Sequence, residues 1–109
     1  MRAAIKAMAG KMFRTYPYEE LYFREGSLRI QEALTRAKLC YIGGVSTPDS
    51  LAQALKDFDL VQMGRALIRD PAMLTSLQSQ PDYENGCIHC NQCATMLKAP
   101  GGVRCVLNN

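Results

Sequence analysis

The sequence predicts an α/β fold, read as the closing portion of a larger parallel-sheet domain. Two short apolar runs, Leu39-Cys40-Tyr41-Ile42 and Leu60-Val61-Gln62-Met63, each stop at glycine. Each is followed by a helix signature, and 17 residues separate Ile42 from Leu60. That is room for a helical crossover between parallel neighbours. Runs without polar alternation are what a parallel sheet produces when both of its faces are covered. Only two such strands are supplied, and a parallel sheet needs more than two to bury its faces.

The elements follow in order. Ala3, Ala4, Ala7, Met8 and Met12 suit a helix that Gly10 weakens and Pro17 ends. From Tyr18 to Lys38, Leu21, Leu28, Leu34, Ile30, Ala33 and Ala37 recur at helical spacing, with Arg24, Arg29 and Arg36 for the wet side. A helix starting only after Gly26 and capped by Ser27 satisfies the same pattern. The first strand then reads as buried, with Cys40 as a small core residue. Thr47 suits an N-cap, Pro48 the first helical position and Asp49 the positive end of the helix dipole. Leu51, Ala54, Leu55 and Phe58 form that helix's apolar face. After the second strand, Ala66 to Arg69 reads as one helical turn. Asp70-Pro71 repeats the cap-plus-proline signature, with Met73, Leu74 and Leu77 continuing a helix. Ser79 to Gly86 reads as a polar loop.

Composition narrows the function classes. The chain has 109 residues, 48% hydrophobic and 21% charged, which is globular rather than disordered. No apolar run is long enough for a transmembrane helix. Met1 to Gly10 lacks a secretory h-region and cleavage site. The net charge is +3, with eight basic and four acidic side chains in residues 1–40. No basic stripe interleaved with aromatics accompanies it, so no nucleic-acid partner and no membrane partner is expected.

Cysteine usage says more. Of five cysteines, Cys87, Cys90, Cys93 and Cys105 crowd into the last 23 residues, and Cys40 stands alone. An odd count without a signal peptide does not suit a secreted disulfide scaffold; it suits a reduced cytoplasmic protein with a metal or cluster site. The run Cys87-x2-Cys90-x2-Cys93 wraps three corners of a small tetrahedron, and Cys105 returns through Pro100-Gly101-Gly102 to close the fourth. A [4Fe-4S] cluster takes four thiolates so spaced. Zinc takes the same four donors, or three with His89, but more often uses two separated Cys-x2-Cys pairs. Three cysteines in one run favour iron–sulfur. His89, the lone histidine, reads as a neighbour that hydrogen-bonds the cluster or faces solvent.

Gly43-Gly44 and Gly64-Arg65 each end a strand. Ligands of parallel α/β folds bind at those strand ends. Glycine lets backbone N–H groups approach a phosphate, and arginine adds charge. Each pair alone is an ordinary turn; two on successive strands point to phosphate. Arg65 at a helix start opposes the dipole, a placement that an anion would relieve.

Several stretches together resemble a known family. They are Tyr41-Ile42-Gly43-Gly44-Val45, Asp59-Leu60-Val61-Gln62-Met63-Gly64-Arg65-Ala66-Leu67, Arg69-Asp70-Pro71 and Cys87-Ile88-His89-Cys90-Asn91-Gln92-Cys93. They are similar to the C-terminal part of the NADH:flavin oxidoreductases of the old yellow enzyme family. The cysteine run resembles the branch containing 2,4-dienoyl-CoA reductase and trimethylamine dehydrogenase. The resemblance implies that residues 1–80 are the end of an FMN-binding TIM (β/α)8 barrel, with its seventh and eighth strands, and that 81–109 are a cluster-binding segment. It further implies that Gly43, Gly44, Gly64 and Arg65 line the FMN phosphate site, and that Cys87, Cys90, Cys93 and Cys105 hold a [4Fe-4S] cluster. NAD(P)H would be the electron donor and an activated alkene or related small molecule the substrate. The family's flavin-stacking and proton-donating residues come from earlier strands, so no catalytic residue carries over. The partner would be the missing N-terminal barrel half or a second copy. The other class of function these residues allow is a small stand-alone iron–sulfur or zinc module.

Overall fold

The structure is a computed structural model and describes residues 16–108. The N-terminal helix expectation and the reading of Met1 to Gly10 lie outside those residues. In chain order the elements are α1 (Arg24–Ala33), β1 (Cys40–Ile42), α2 (Pro48–Asp57), β2 (Leu60–Gln62), α3 (Arg65–Arg69), α4 (Met73–Ser79) and a 3-10 helix (Gln92–Lys98). Among the described residues no helix is long and apolar enough to cross a membrane.

β1 and β2 pair in parallel, Cys40 opposite Leu60, Tyr41 opposite Val61 and Ile42 opposite Gln62. The crossover between them is α2, which begins as its sequence requires. Thr47 accepts from the Ser50 backbone at 3.1 Å, the Ser50 side chain accepts from the Thr47 backbone in return, and Pro48 opens the helix. Such reciprocal capping satisfies two N–H groups that the helix itself leaves open.

Tyr41 and Phe58 stack with ring centroids 4.7 Å apart, and with Val45 and Ala54 they form one buried cluster. The Tyr41 hydroxyl donates to the Gly43 carbonyl at 2.5 Å, which lets a phenol sit at 0% exposure. A second cluster joins Ala66, Met73 and Tyr83, and Met63 packs against both. Arg24 pairs with Asp57 at 2.6 Å, tying α1 to the end of α2.

Several expectations are corrected. Both faces of the strands were expected to be covered; only the Tyr41 and Val61 face is. Side chains alternate along a strand, and the helical layer lies on one side, so Cys40, Ile42 and Leu60 are exposed. Cys40 is therefore not a core thiol among the described residues. Leu55 is exposed too, because only one edge of α2 meets the sheet. α1 neither begins at Tyr18 nor takes Ser27 as its cap: it starts at Arg24, with Gly26 in its first turn. Leu21 precedes it at φ +59°, and Ile30 and Leu34 are exposed. Asp70 caps no helix directly. Its carboxylate accepts from Ala72 at 2.9 Å and from the Tyr83 hydroxyl at 2.6 Å, and α4 begins at Met73. The loop before the cysteines is not wholly polar surface, since Tyr83 and Asn85 are buried and the Asn85 amide donates to the Ala66 carbonyl at 3.0 Å.

Gly43 and Gly44 are there for conformation and space. Their φ angles are +143° and +70°, and a Cβ on Gly44 would lie 2.8 Å from the Glu19 carbonyl oxygen and the Leu21 nitrogen. That contact matters because the Leu21 N–H donates to the Gly44 carbonyl at 2.7 Å, clamping the segment before α1 onto the strand end.

Gly44→Ala is therefore expected to destabilise the chain by at least about 1–2 kcal/mol, from left-handed backbone cost plus the clash. Gly26→Ala, whose Cβ meets nothing within 4 Å, should stabilise it by about 0.5–1 kcal/mol. Urea unfolding of the two variants gives both signs; equal midpoints would contradict this account.

Candidate functional site

The parallel register sets the two glycine turns side by side. Gly43, Gly44, Gly64 and Arg65 all line one cavity of about 160 Å³ at the carboxyl ends of β1 and β2. The four residues expected at a phosphate site are thus brought together. Gly64 contributes openness: a Cβ there would meet nothing within 4 Å.

Arg65 is the first residue of α3. Its guanidinium donates to the Asn91 side-chain oxygen at 2.5 Å and lies 5.7 Å from the centre of the Tyr18 ring. Among the described residues the ion pairs are Arg24–Asp57 and Lys38–Asp59, so no carboxylate neutralises Arg65. A cation held by an amide and a ring face keeps donors for an anion.

Tyr18, Ser46 and His89 line the same cavity, and of these only His89 was singled out in the sequence. Tyr18 and His89 stack with centroids 3.3 Å apart and planes 9° off parallel. His89 Nε2 lies 3.4 Å from Ser46 Oγ, and its Nδ1 is 3.9 Å from Cys87 Sγ. Glu20 accepts from the Ser46 backbone at 3.0 Å, from the Tyr18 hydroxyl at 2.8 Å and from the Ser46 hydroxyl. Burial pushes the Tyr18 phenol up to about 12; the hydrogen bond with Ser46 opposes this and Glu20 adds to it. Burial and then Arg65 hold the His89 imidazole below its ordinary value, against Glu20. His89 does not simply face solvent. It joins the cysteine segment to the strand-end turn.

The cysteine segment wraps the next cavity. Cys87, Cys90, Cys93 and Cys105 all line it, with Arg65, His89 and Asn91 shared with the neighbouring cavities. Cys105 is buried and Cys90 exposed. Burial pushes the Cys93 thiol up, and the nearby Cys87 adds to that. Two residues between the cysteines, His89 and Asn91, have left-handed backbone at φ +54° and +59°. Histidine and asparagine are among the few side chains that adopt it with any frequency. The enclosed space is only about 20 Å³, and among the described residues no group of three His, Cys, Asp or Glu side chains converges closely enough to hold a metal ion as it stands. The donor set itself, four thiols around one cavity, fits a thiolate-bound metal or cluster.

No protein-family model matches the chain, and no solved structure matches it. The chain is 36% identical over 106 residues to the 4,4'-dithiodibutanoate disulfide reductase of Rhodococcus erythropolis. The match takes in 96% of this chain and 26% of that protein, so the chain spans about a quarter of the length of the curated relative it matches. The chain is thus similar to part of an oxidoreductase.

Glu20 supplies a test of the wall. Burial alone would raise its carboxyl, but hydrogen bonds from Ser46, Ser50 and Tyr18 outweigh it and hold the group below its ordinary value of 4.5. A carboxyl whose folded pKa is depressed stabilises the fold when ionised; that stability is present above the unfolded value and is lost as pH falls through the folded one. Thermal stability should therefore drop on acidification below about pH 4.5, and Glu20→Gln should flatten this limb. An identical acid limb in the variant would show that the carboxylate does not hold the turn.

Proposed function

We propose that the chain is the cofactor-phosphate and cluster end of an FMN-dependent NAD(P)H oxidoreductase, built as the last two strands of a β/α barrel. One observation carries the reading. Two successive strand-end turns, with a cation that no carboxylate among the described residues neutralises, line one cavity, and four cysteines line the cavity beside it. An oxidoreductase relative over nearly the whole chain supports it. The exposed apolar face of β1 and β2 also suits strands whose other face packs within a longer chain.

In this reading the backbone N–H groups at the Gly43-Gly44 and Gly64-Arg65 turns and the Arg65 guanidinium bind the FMN phosphate. Tyr18 and His89 close the cavity side and exclude water. Cys87, Cys90, Cys93 and Cys105 hold a [4Fe-4S] cluster. FMN, when bound, accepts hydride from NAD(P)H, and an iron–sulfur cluster passes single electrons. The substrate is a small two-electron acceptor. An activated alkene is the class implied by the old yellow enzyme resemblance. An organic disulfide, reduced to two thiols by one NAD(P)H and one proton, is the class named for the relative.

A second reading of the cysteine site rests on its size. About 20 Å³ is roughly one water's volume, so a single zinc ion would ask less movement of the thiolates than a four-iron cluster. Metal and sulfide analysis separates the two: iron with equal sulfide for the cluster, one zinc without sulfide for the alternative.

Two outcomes test the assignments. Changing Cys87, Cys90, Cys93 or Cys105 to Ala should remove the bound metal, whereas Cys40→Ala should not. Full metal retention in Cys105→Ala would end the four-ligand assignment. In an FMN titration read by fluorescence quenching, the chain should bind weakly, since two turns grip only one end of the cofactor, and should not oxidise NAD(P)H by itself. Arg65→Ala should weaken that binding roughly ten- to a hundredfold, the worth of a charge-assisted contact. Unchanged affinity would remove the phosphate site.

A further inference from the structure

We propose that Asn91 and His89 are positioning residues through which the cysteine loop sets the Arg65 guanidinium at the glycine-turn cavity, so that loading the thiols and binding an anion are linked. The inference rests on the reading of the two cavities above and goes beyond it by coupling them.

Both residues sit between cysteines: His89 between Cys87 and Cys90, Asn91 between Cys90 and Cys93. Both line the cysteine cavity, and both side chains also reach groups that line the glycine-turn cavity. Asn91 accepts from Arg65 at 2.5 Å across 26 residues of chain. His89 stacks on Tyr18 at 3.3 Å, and the same Tyr18 ring lies under the Arg65 guanidinium. His89 also reaches Ser46, two residues past Gly44, across 43 residues. Arg65 is thus held from two sides, by an amide and through a ring, and both holds originate in the cysteine loop.

The backbone makes this more than proximity. Left-handed φ at His89 and Asn91 is uncommon even for the side chains that tolerate it best, so two such residues in one short loop depend on the contacts around them. Four sulfurs bound to one centre would fix the loop at Cys87, Cys90 and Cys93 and impose it. With the thiols unloaded, the loop is freer to relax, and the guanidinium loses its fixed seat. An anion then meets an arginine that it must order itself, which lowers its affinity. Linkage is reciprocal, so an anion in the glycine-turn cavity must tighten metal binding by the same factor.

Co2+ and FMN serve as probes on the 109-residue chain. Co2+–thiolate absorption reports loading, and flavin fluorescence quenching reports binding. The loaded chain should bind FMN about fivefold more tightly or better than the unloaded chain, and saturating FMN should tighten Co2+ by the same factor. Asn91→Gly keeps the left-handed backbone accessible and removes only the acceptor; it should still bind Co2+ but lose most of the linkage. Equal FMN affinity of loaded and unloaded chain would overturn the proposal while leaving both sites standing. Linkage undiminished in Asn91→Gly would overturn it as well. FMN binding in neither state would withdraw the cavity reading itself, and the coupling with it.

Discussion

Parallel pairing of β1 and β2 in direct register is the constraint on which the other features depend. Two strands that run the same way and start level also end level, so the turns after Ile42 and Gln62 emerge together. A slip of one residue would reverse which face each side chain takes. Tyr41 would then leave its stack on Phe58, and its buried hydroxyl would lose the Gly43 carbonyl. The register is therefore fixed by core packing. The site at the strand ends follows from it.

Around those ends the molecule closes a circle of contacts from four parts of the chain. The segment before α1 brings Tyr18, Glu20 and Leu21; the first turn brings Gly44 and Ser46; the second brings Arg65; the cysteine loop brings His89 and Asn91. Glu20 joins the first two parts by accepting three hydrogen bonds, each from Ser46 or Tyr18. Its negative charge is held by those donors and not by an arginine, which leaves Arg65 free of a carboxylate among the described residues. An ion pair between them would have neutralised that cation. Hydrogen bonds supply the stabilisation of the turn while the cation is spared.

Among the described residues the buried apolar side chains other than Cys105 fall into two clusters, and Met63 packs against both. Both lie on the helical side of the sheet, and the opposite side presents Ile42 and Leu60. Such one-sided coverage costs stability in proportion to the apolar area left in water. The helices next to the strands in sequence cover one face of the pair, and among the described residues the other face stays exposed.

What was legible in the sequence was local. The strands announced themselves through apolar runs cut by glycine, α2 through Thr47-Pro48 and its following residues, and the cysteine loop through spacing alone. Each of those signals comes from neighbours within a few residues, whose geometry is set by backbone sterics and short hydrogen bonds. The glycine turns were legible as turns, and their convergence on one cavity followed once the strands were paired in register. Helix boundaries were less legible. Periodicity suggested a start at Tyr18 and Gly26-Ser27 another, whereas α1 begins at Arg24, and Asp70 looked like a cap while its carboxylate went partly to Tyr83. Nothing along the chain tied Tyr18 to His89, Arg65 to Asn91 or Glu20 to Ser46, pairs 71, 26 and 26 residues apart. No periodicity encodes such partners. They meet because folding brings separate segments to the same strand ends, so the sequence determined which groups were available and the tertiary structure alone decided which of them touch.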